Sequence, residues 1–272
     1  MKLVKVNELD RYQEIVAHYK QKSCLSNDYI YQKASDLINQ GRLFEYCGEK
    51  NAFIFELKDD CMRLYYYLND TQEGLDFNVD NNLVVEILFR GDHGLPEQEL
   101  EYLSRCGFTL NLRRDQYSGM YKDLQVPGLI RNVFVHKARS IEEVNMAIDL
   151  FNRSFDHYSG DYIPIDMNQQ LLSDGGILIA KDINGVFAGA LHQSIDRNVA
   201  WISHVAVLEE FRGRGIGQAL LDTFVEQNKS NEKSRYMLWV QAQNTAAVNM
   251  YQKKGFKFTN KSTISMIKLK DV

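Results

Sequence analysis

The feature that most constrains this chain is a glycine-rich loop set between a strand and a helix. Ala200 to Val207 reads as a β-strand, and the loop follows as Arg212-Gly213-Arg214-Gly215-Ile216-Gly217-Gln218. Behind it, residues 215–229 carry Ile216, Leu220, Leu221, Phe224 and Val225 at the spacing of one buried helix face. The first amides of a helix have no intrahelical acceptor, and the helix dipole is positive at that end. Glycines let the backbone take positive φ and come close to an anion. Arg212 and Arg214 add charge-assisted donors. The loop therefore suits a phosphate-bearing ligand. It is not a Walker A loop, which ends in Gly-Lys-Ser/Thr, because Gly217 is followed by Gln218. The dinucleotide spacing G-x-G-x-x-G also fails: counted from Gly213 or Gly215, the last position is Gln218 or Leu220.

The elements around the loop define a mixed α/β layer fold. A strand is expected at 130–138, a helix at 140–153, a polar loop with aromatics over 154–164 and a short helix near 166–173. Strands at 176–182 and 186–195 flank Asn184-Gly185, a hairpin turn signal. A strand at 235–241, a helix at 244–254 and a final strand pair around 256–269 complete this half. The first half repeats the plan: a strand near 3–6, helices at 8–20 and 27–39, and strands at 43–47, 52–57, 62–68 and 84–89. Tyr102…Gly107-Phe108 echoes Tyr251…Gly255-Phe256. Pro127-Gly128 marks a turn, so the expected division is one domain over 1–126 and a second over 129–272. Residues 69–83 contain nothing like the glycine loop and its helix.

Two motifs carry a family resemblance. Val205-Ala206-Val207 followed by Arg212-x-x-Gly215-x-Gly217 resembles the acetyl-CoA motif of the GNAT acetyltransferases, and Asn244…Ala247…Tyr251…Gly255-Phe256 is similar to the family's later helix and strand. The resemblance covers about 130–272, and reaches 1–125 through element order and the Tyr102 echo. It implies the acyl-CoA N-acyltransferase (GNAT) fold in two tandem copies, the first degenerate and without an acetyl-CoA loop. It also implies transfer of an acetyl or similar acyl group from acetyl-CoA to a primary amine, directly, in a ternary complex. On this resemblance, backbone groups of Val205, Ala206 and Val207 pair with the pantetheine arm, and the Val207 N–H polarises the thioester carbonyl. The amides of Gly213, Arg214, Gly215, Ile216, Gly217 and Gln218 cradle the pyrophosphate beside Arg212. Asn244 touches the pantetheine or caps its helix; both readings fit. Tyr251 is the acid for the leaving thiolate, with a phenol pKa near that of a thiol.

The proton acceptor is less legible. The strand positions that carry a base in well-studied relatives fall on Trp201 and Ser203, and neither is a carboxylate or a histidine. His204 is adjacent, but strand alternation turns it to the other face unless a bulge intervenes. Asp156 and Asp161, in the loop where the family meets its acceptor, are candidates to hold a cationic amine, and Ser203 is a further candidate substrate residue. The acceptor is expected to be a small-molecule amine or a peptide amine. The alternative is a CoA-binding sensor that does not turn over. Residues 1–130 carry a formal charge of −6, which argues against nucleic acid as a partner. Cys24, Cys47, Cys61 and Cys106 form no CxxC pair and no metal spacing, so no metal and a reducing cytoplasm are expected. No apolar run suggests a signal peptide or a membrane span.

Overall fold

The computed structural model describes residues 2–21, 23–58, 61–77, 79–125, 132–230 and 234–270. Two compact units emerge: Met1–Arg113 with Ser262–Val272, and Arg114–Lys261. Their elements in chain order are β1 (Val4–Lys5), α1 (Leu9–Tyr19), β2 (Leu25–Ser26), α2 (Ala34–Asn39), β3 (Leu43–Cys47), β4 (Ala52–Leu57), β5 (Cys61–Leu68), β6 (Asn82–Arg90), α3 (Glu97–Arg105) and β7 (Thr109–Met120). There follow β8 (Val133–Lys137), α4 (Ile141–Ser154), α5 (Asn168–Ser173), β9 (Ile177–Asp182), β10 (Phe187–Asp196), β11 (Val199–Val207), α6 (Ile216–Gln227), β12 (Arg235–Gln241), α7 (Thr245–Lys254) and β13 (Lys257–Lys268).

The division differs from the one expected at 126–129. Residues 126–131 lie outside the described residues, and those on either side of them belong to the same unit. The cause is strand pairing. Arg114 to Met120 of β7 pairs antiparallel with the whole of β12, Tyr121 N donates to Ser234 O, and Gln125 N donates to Lys254 O. At the other end, Ile264 and Met266 of β13 sit in the core of the first unit. A Pro-Gly turn signal cannot distinguish a turn inside a unit from a linker between units. Residues 256–269, expected as a strand pair, form the single strand β13. Asn260 takes φ +61° there, a left-handed residue that asparagine tolerates, without reversing the chain.

In the Arg114–Lys261 unit the strands run in the order β7-β12-β11-β10-β9-β8, antiparallel except for β11 beside β12. Alternate residues supply two cores. Leu178 and Ala180 pack with Leu220, Phe224 and Tyr251 of α6 and α7, while Ile177 and Ile179 pack with Val144, Ile148 and Phe151 of α4. Ser140 caps α4 by accepting from Glu143 N.

The ladder between β10 and β11 carries a bulge. His192 pairs with His204 but Gln193 pairs with Ile202, so Ser203 is an extra residue on β11. Its effect is a change of face. Ala200 and Ile202 lie in the core of α6, whereas Ala206, past the bulge, lies in the core of α4.

In the first unit the order is β1-β3-β4-β5-β6, then β13, with β2 on β5. Strands β5 and β6 are parallel, paired from Cys61–Asn82 to Leu64–Val85. The helix expected over 27–39 is confined to Ala34–Asn39. Asn27 instead donates from Nδ2 to Leu64 O and Glu86 O at 3.1 and 3.0 Å, and accepts from Tyr66 N at 2.8 Å. Its amide is used where the two strands part. Among the described residues of 69–81 there is no helix, and Phe77 fills the core against Phe53 and Phe108.

Gly189 marks a close approach. A Cβ there would lie 2.7 Å from Ala206 O and 3.2 Å from Val207 Cα. Gly189→Val should therefore force β10 and β11 apart and cost about 1–3 kcal/mol, the usual range for overpacking. Urea denaturation of the full chain checks this; a midpoint equal to that of the wild type would mean the ladder yields freely.

Candidate functional site

The site grows from an interrupted strand pair. Parallel pairing of β11 with β12 covers Val199–Arg235 to Ile202–Leu238 and stops, although both strands continue. Beyond that point β11 keeps β10 on one side and has a free edge on the other. Leu208 N donates to Ala188 O. Alternation along an antiparallel ladder then makes Gly189–Val207 and Leu191–Val205 non-hydrogen-bonded pairs. The N–H and C=O groups of Val205 and Val207 consequently point away from β10, into the gap. Arg212 Nε reaches Val207 O from that side at 3.3 Å.

The loop continues from this edge. Gly213 and Gly215 have φ +75° and +80°. A Cβ on Gly213 would meet nothing within 4 Å, so glycine is needed there for conformation and leaves the surface open. The earliest backbone bond of the α6 ladder, Ala219 N to Gly215 O, leaves the amides of Ile216, Gly217 and Gln218 without intrahelical acceptors. Ile216 is buried and fixes the helix start in the core, while Arg212, Arg214 and Gln218 are exposed. The Arg214 guanidinium lies 5.3 Å from the centre of the Phe211 ring. Open glycines, free amides and an unpaired strand edge fit the phosphates and amide-bearing arm of an acyl-CoA.

A cavity of about 480 Å³ opens at the gap. Ser203 and Val205 of β11, Asn244 and Tyr251 of α7, Trp239 of β12 and Asp161 all line it. Ala206, Val207, the residues Arg212 to Gln218, and Asp156 are not among its lining residues. The Asn244 side chain caps α7, accepting from Ala247 N at 3.1 Å, and also borders the cavity. Tyr251 is 5% exposed, and burial raises the pKa of its phenol, so the hydroxyl stays protonated across the neutral range. Asp161 is held by Arg114, with Nη1 to Oδ1 at 3.0 Å.

Sequence reasoning missed Arg114 and His192, and set His204 aside. Arg114 lies on β7, on the far side of the expected domain boundary. His192 on β10 had no motif to mark it. The bulge at Ser203 turns His204 toward α4, where its ring stacks on Phe151 at 5.2 Å and meets Phe155 edge-on at 5.0 Å. His192 and His204 are cross-strand partners, stacked at 5.3 Å with 5° between planes and Nδ1 to Nδ1 at 3.1 Å. Burial lowers both pKa values to about 4; a proton on His204 further opposes one on His192, and the Arg114 charge further lowers His204.

The Acetyltransferase (GNAT) family profile matches residues 144–256, which span the glycine loop and Tyr251. Over those residues the chain matches the GNAT acetyltransferases. It is 39% identical over 61 residues to an uncharacterized N-acetyltransferase of Methanocaldococcus jannaschii, covering 22% of this chain and 27% of that one. It is 36% identical over 75 residues to an uncharacterized N-acetyltransferase of Bacillus subtilis, covering 28% and 46%. The matched segments thus span less than half the length of these two relatives. A tandem GNAT protein from the clavulanic acid biosynthesis pathway superposes with a TM-score of 0.56 at 11% identity, over 98% of this chain and 97% of that one. The fold is that of the acyl-CoA N-acyltransferases in a tandem arrangement. Enzymes of that family transfer an acetyl group from acetyl-CoA to an acceptor substrate. Among the described residues no helix is long and apolar enough to cross a membrane, and no group of three or more His, Cys, Asp or Glu could hold a metal ion.

The imidazole pair makes stability depend on pH. An ordinary histidine, near 6.5, takes up a proton in the unfolded chain before the buried pair does at about 4. Between these values the unfolded state binds more protons, so stability is fullest above about pH 6.5 and falls as pH drops toward 4. Thermal denaturation between pH 7.5 and 4.5 should show this loss, and the double variant His192→Gln/His204→Asn should flatten it. An equal slope in both proteins would remove the pair as its cause.

Proposed function

We propose that the Arg114–Lys261 unit transfers an acetyl group from acetyl-CoA to a primary amine within a ternary complex. The observation that carries this reading is the free edge of β11, whose Val205 and Val207 backbone groups face the gap beside the cavity lined by Tyr251. Acetyl-CoA, when bound, supplies an activated thioester; the residues present supply the rest. Val205 and Val207 orient the pantetheine arm as an added strand would. The Val207 N–H donates to the thioester oxygen as charge develops on it. The amides of Gly213 to Gln218, with Arg212 and Arg214, hold the pyrophosphate. Asn244 borders the arm while capping α7. Tyr251 Oη gives its proton to the departing sulfur. Asp161 and Ser203 border the acceptor, while Asp156 lies outside the cavity lining and drops in rank. Holding amine and thioester in contact supplies much of the rate.

The first unit is read as a degenerate copy that binds no acyl-CoA. Two features support this. The described residues of 69–81 contain no helix to offer free amides, and Asn27 already satisfies backbone groups where β5 and β6 part.

Calorimetry tests the donor site. Acetyl-CoA should bind once per chain. Gly215→Glu should abolish binding by placing a charged side chain in the cradle at a residue with φ +80°. Arg212→Ala should weaken it by about 1.5–3 kcal/mol, the range for a hydrogen bond to a charged group. Unchanged affinity in both folded variants would refute the assignment.

Chemistry is tested separately. Tyr251→Phe should keep acetyl-CoA affinity and lower turnover by about 10²–10⁴-fold, as for a lost general acid. CoA-thiol release with a panel of primary amines gives the readout. Wild-type turnover would reduce Tyr251 to packing.

A further inference from the structure

The cavity raises the question of where the acceptor's proton goes. Its titratable lining groups are Arg114, Asp161, Tyr162, His192, His204 and Tyr251. Arg114 is a permanent cation, and Asp161 is engaged by it. Tyr251 is kept protonated by burial. The imidazoles of β10 and β11 are the remaining nitrogen bases.

We propose that His192 takes the proton of the acceptor amine, and that His204 holds His192 in the tautomer able to do so. This rests on the reading of the cavity as the acceptor site of amine acetylation. His192 is the catalytic residue and His204 the positioning residue.

The geometry dictates the tautomers. Two neutral rings whose Nδ1 atoms are 3.1 Å apart share one hydrogen, so one ring carries Nδ1–H and the other carries Nε2–H. Two arrangements satisfy this, and they differ in which nitrogen of His192 keeps a free lone pair. His204 is 6% exposed, and its Nε2 has no hydrogen-bond partner. The ring open to an acceptor is His192, so a base there needs its lone pair at Nε2, and the shared hydrogen then leaves the Nε2–H form to His204. His204 Nδ1 is then the acceptor, His192 Nδ1–H the donor, and His192 Nε2 carries the lone pair. The His192 ring is half-buried and borders the cavity, whereas His204 is closed in by Phe151 and Phe155.

The step balances for an acceptor that enters as the free amine. The amine nitrogen forms the C–N bond, the C–S bond breaks, and the acetyl group moves from sulfur to nitrogen. The surplus N–H proton passes to His192 Nε2, and Tyr251 gives its own proton to the sulfur. His192 then returns one proton through solvent to Tyr251. The wall around the step carries one cation and one carboxylate, Arg114 and Asp161, joined to each other. Such a balanced wall suits a monoamine with an uncharged body better than a polyamine or an amino acid.

The test begins without turnover. Nitrogen-15 NMR of histidine-labelled wild-type protein at neutral pH should find His192 as the Nδ1–H tautomer and His204 as the Nε2–H tautomer. The reverse assignment, or a protonated pair, would overturn the proposal. Kinetics follow with acetyl-CoA and benzylamine as the probe amine, with spermidine and lysine as controls. His192→Gln should lower kcat by about 10²–10⁴-fold and leave the KM for acetyl-CoA unchanged. His204→Asn keeps an oxygen to accept from His192 Nδ1–H and should retain most of kcat, while His204→Leu should lose at least about tenfold. Equal rates in the Asn and Leu variants would remove His204 as the positioning residue, and wild-type kcat in His192→Gln would remove His192 as the base. A wild type that turns over none of these amines would count against the proposed reaction, and the dyad would then stand or fall on the tautomers.

Discussion

The site depends on the parting of two parallel strands. β11 and β12 pair for four residues and then diverge, which leaves Val205 and Val207 with backbone groups directed into a gap. An unpaired strand edge inside a folded unit is costly unless something satisfies it. In the first unit the parallel strands β5 and β6 part in the same way after Leu64 and Val85, and the Asn27 side chain meets the exposed groups from within the chain. In the Arg114–Lys261 unit the side chain that reaches this edge is Arg212, whose Nε donates to Val207 O at 3.3 Å. The two units differ there in the Asn27 side chain, which bonds Leu64 O and Glu86 O, and in the presence of α6.

The bulge at Ser203 is the second determinant. One extra residue exchanges the faces of β11, so that the strand contributes Ala200 and Ile202 to one core and Ala206 to the other. It also sets His204 beside His192 and against Phe151. Burial then acts on two kinds of group with opposite signs and one result: it raises the Tyr251 phenol and lowers the two imidazoles, so all three are uncharged near neutral pH. With Arg114 and Asp161 joined, the cavity wall is close to electrically balanced.

Much of the fold was legible because it is written in local patterns. The strands at 43–47, 52–57 and 235–241 fall where alternation placed them, and α6 and α7 follow from their apolar stripes and the Asn244 cap. The readings that failed concern partners distant in sequence. Nothing local to residues 27–33 announces that Asn27 serves β5 and β6 rather than a helix. The segment 256–269, expected as a strand pair, runs on as one strand through the left-handed Asn260.

The sequence by itself determined the glycine loop, the strand before it, the helix behind it and the position of Tyr251. Each depends on backbone preferences and side-chain periodicity within a few residues. Only the tertiary structure decided where the chain divides, since β7 and β13 each contribute residues to both units. It also decided the register shift at Ser203 and the meeting of His192 with His204. Twelve positions separate those two rings along the chain. Their contact rests on how two strands align, and alignment is chosen by the cores on both faces of the sheet, not by the residues nearby in sequence.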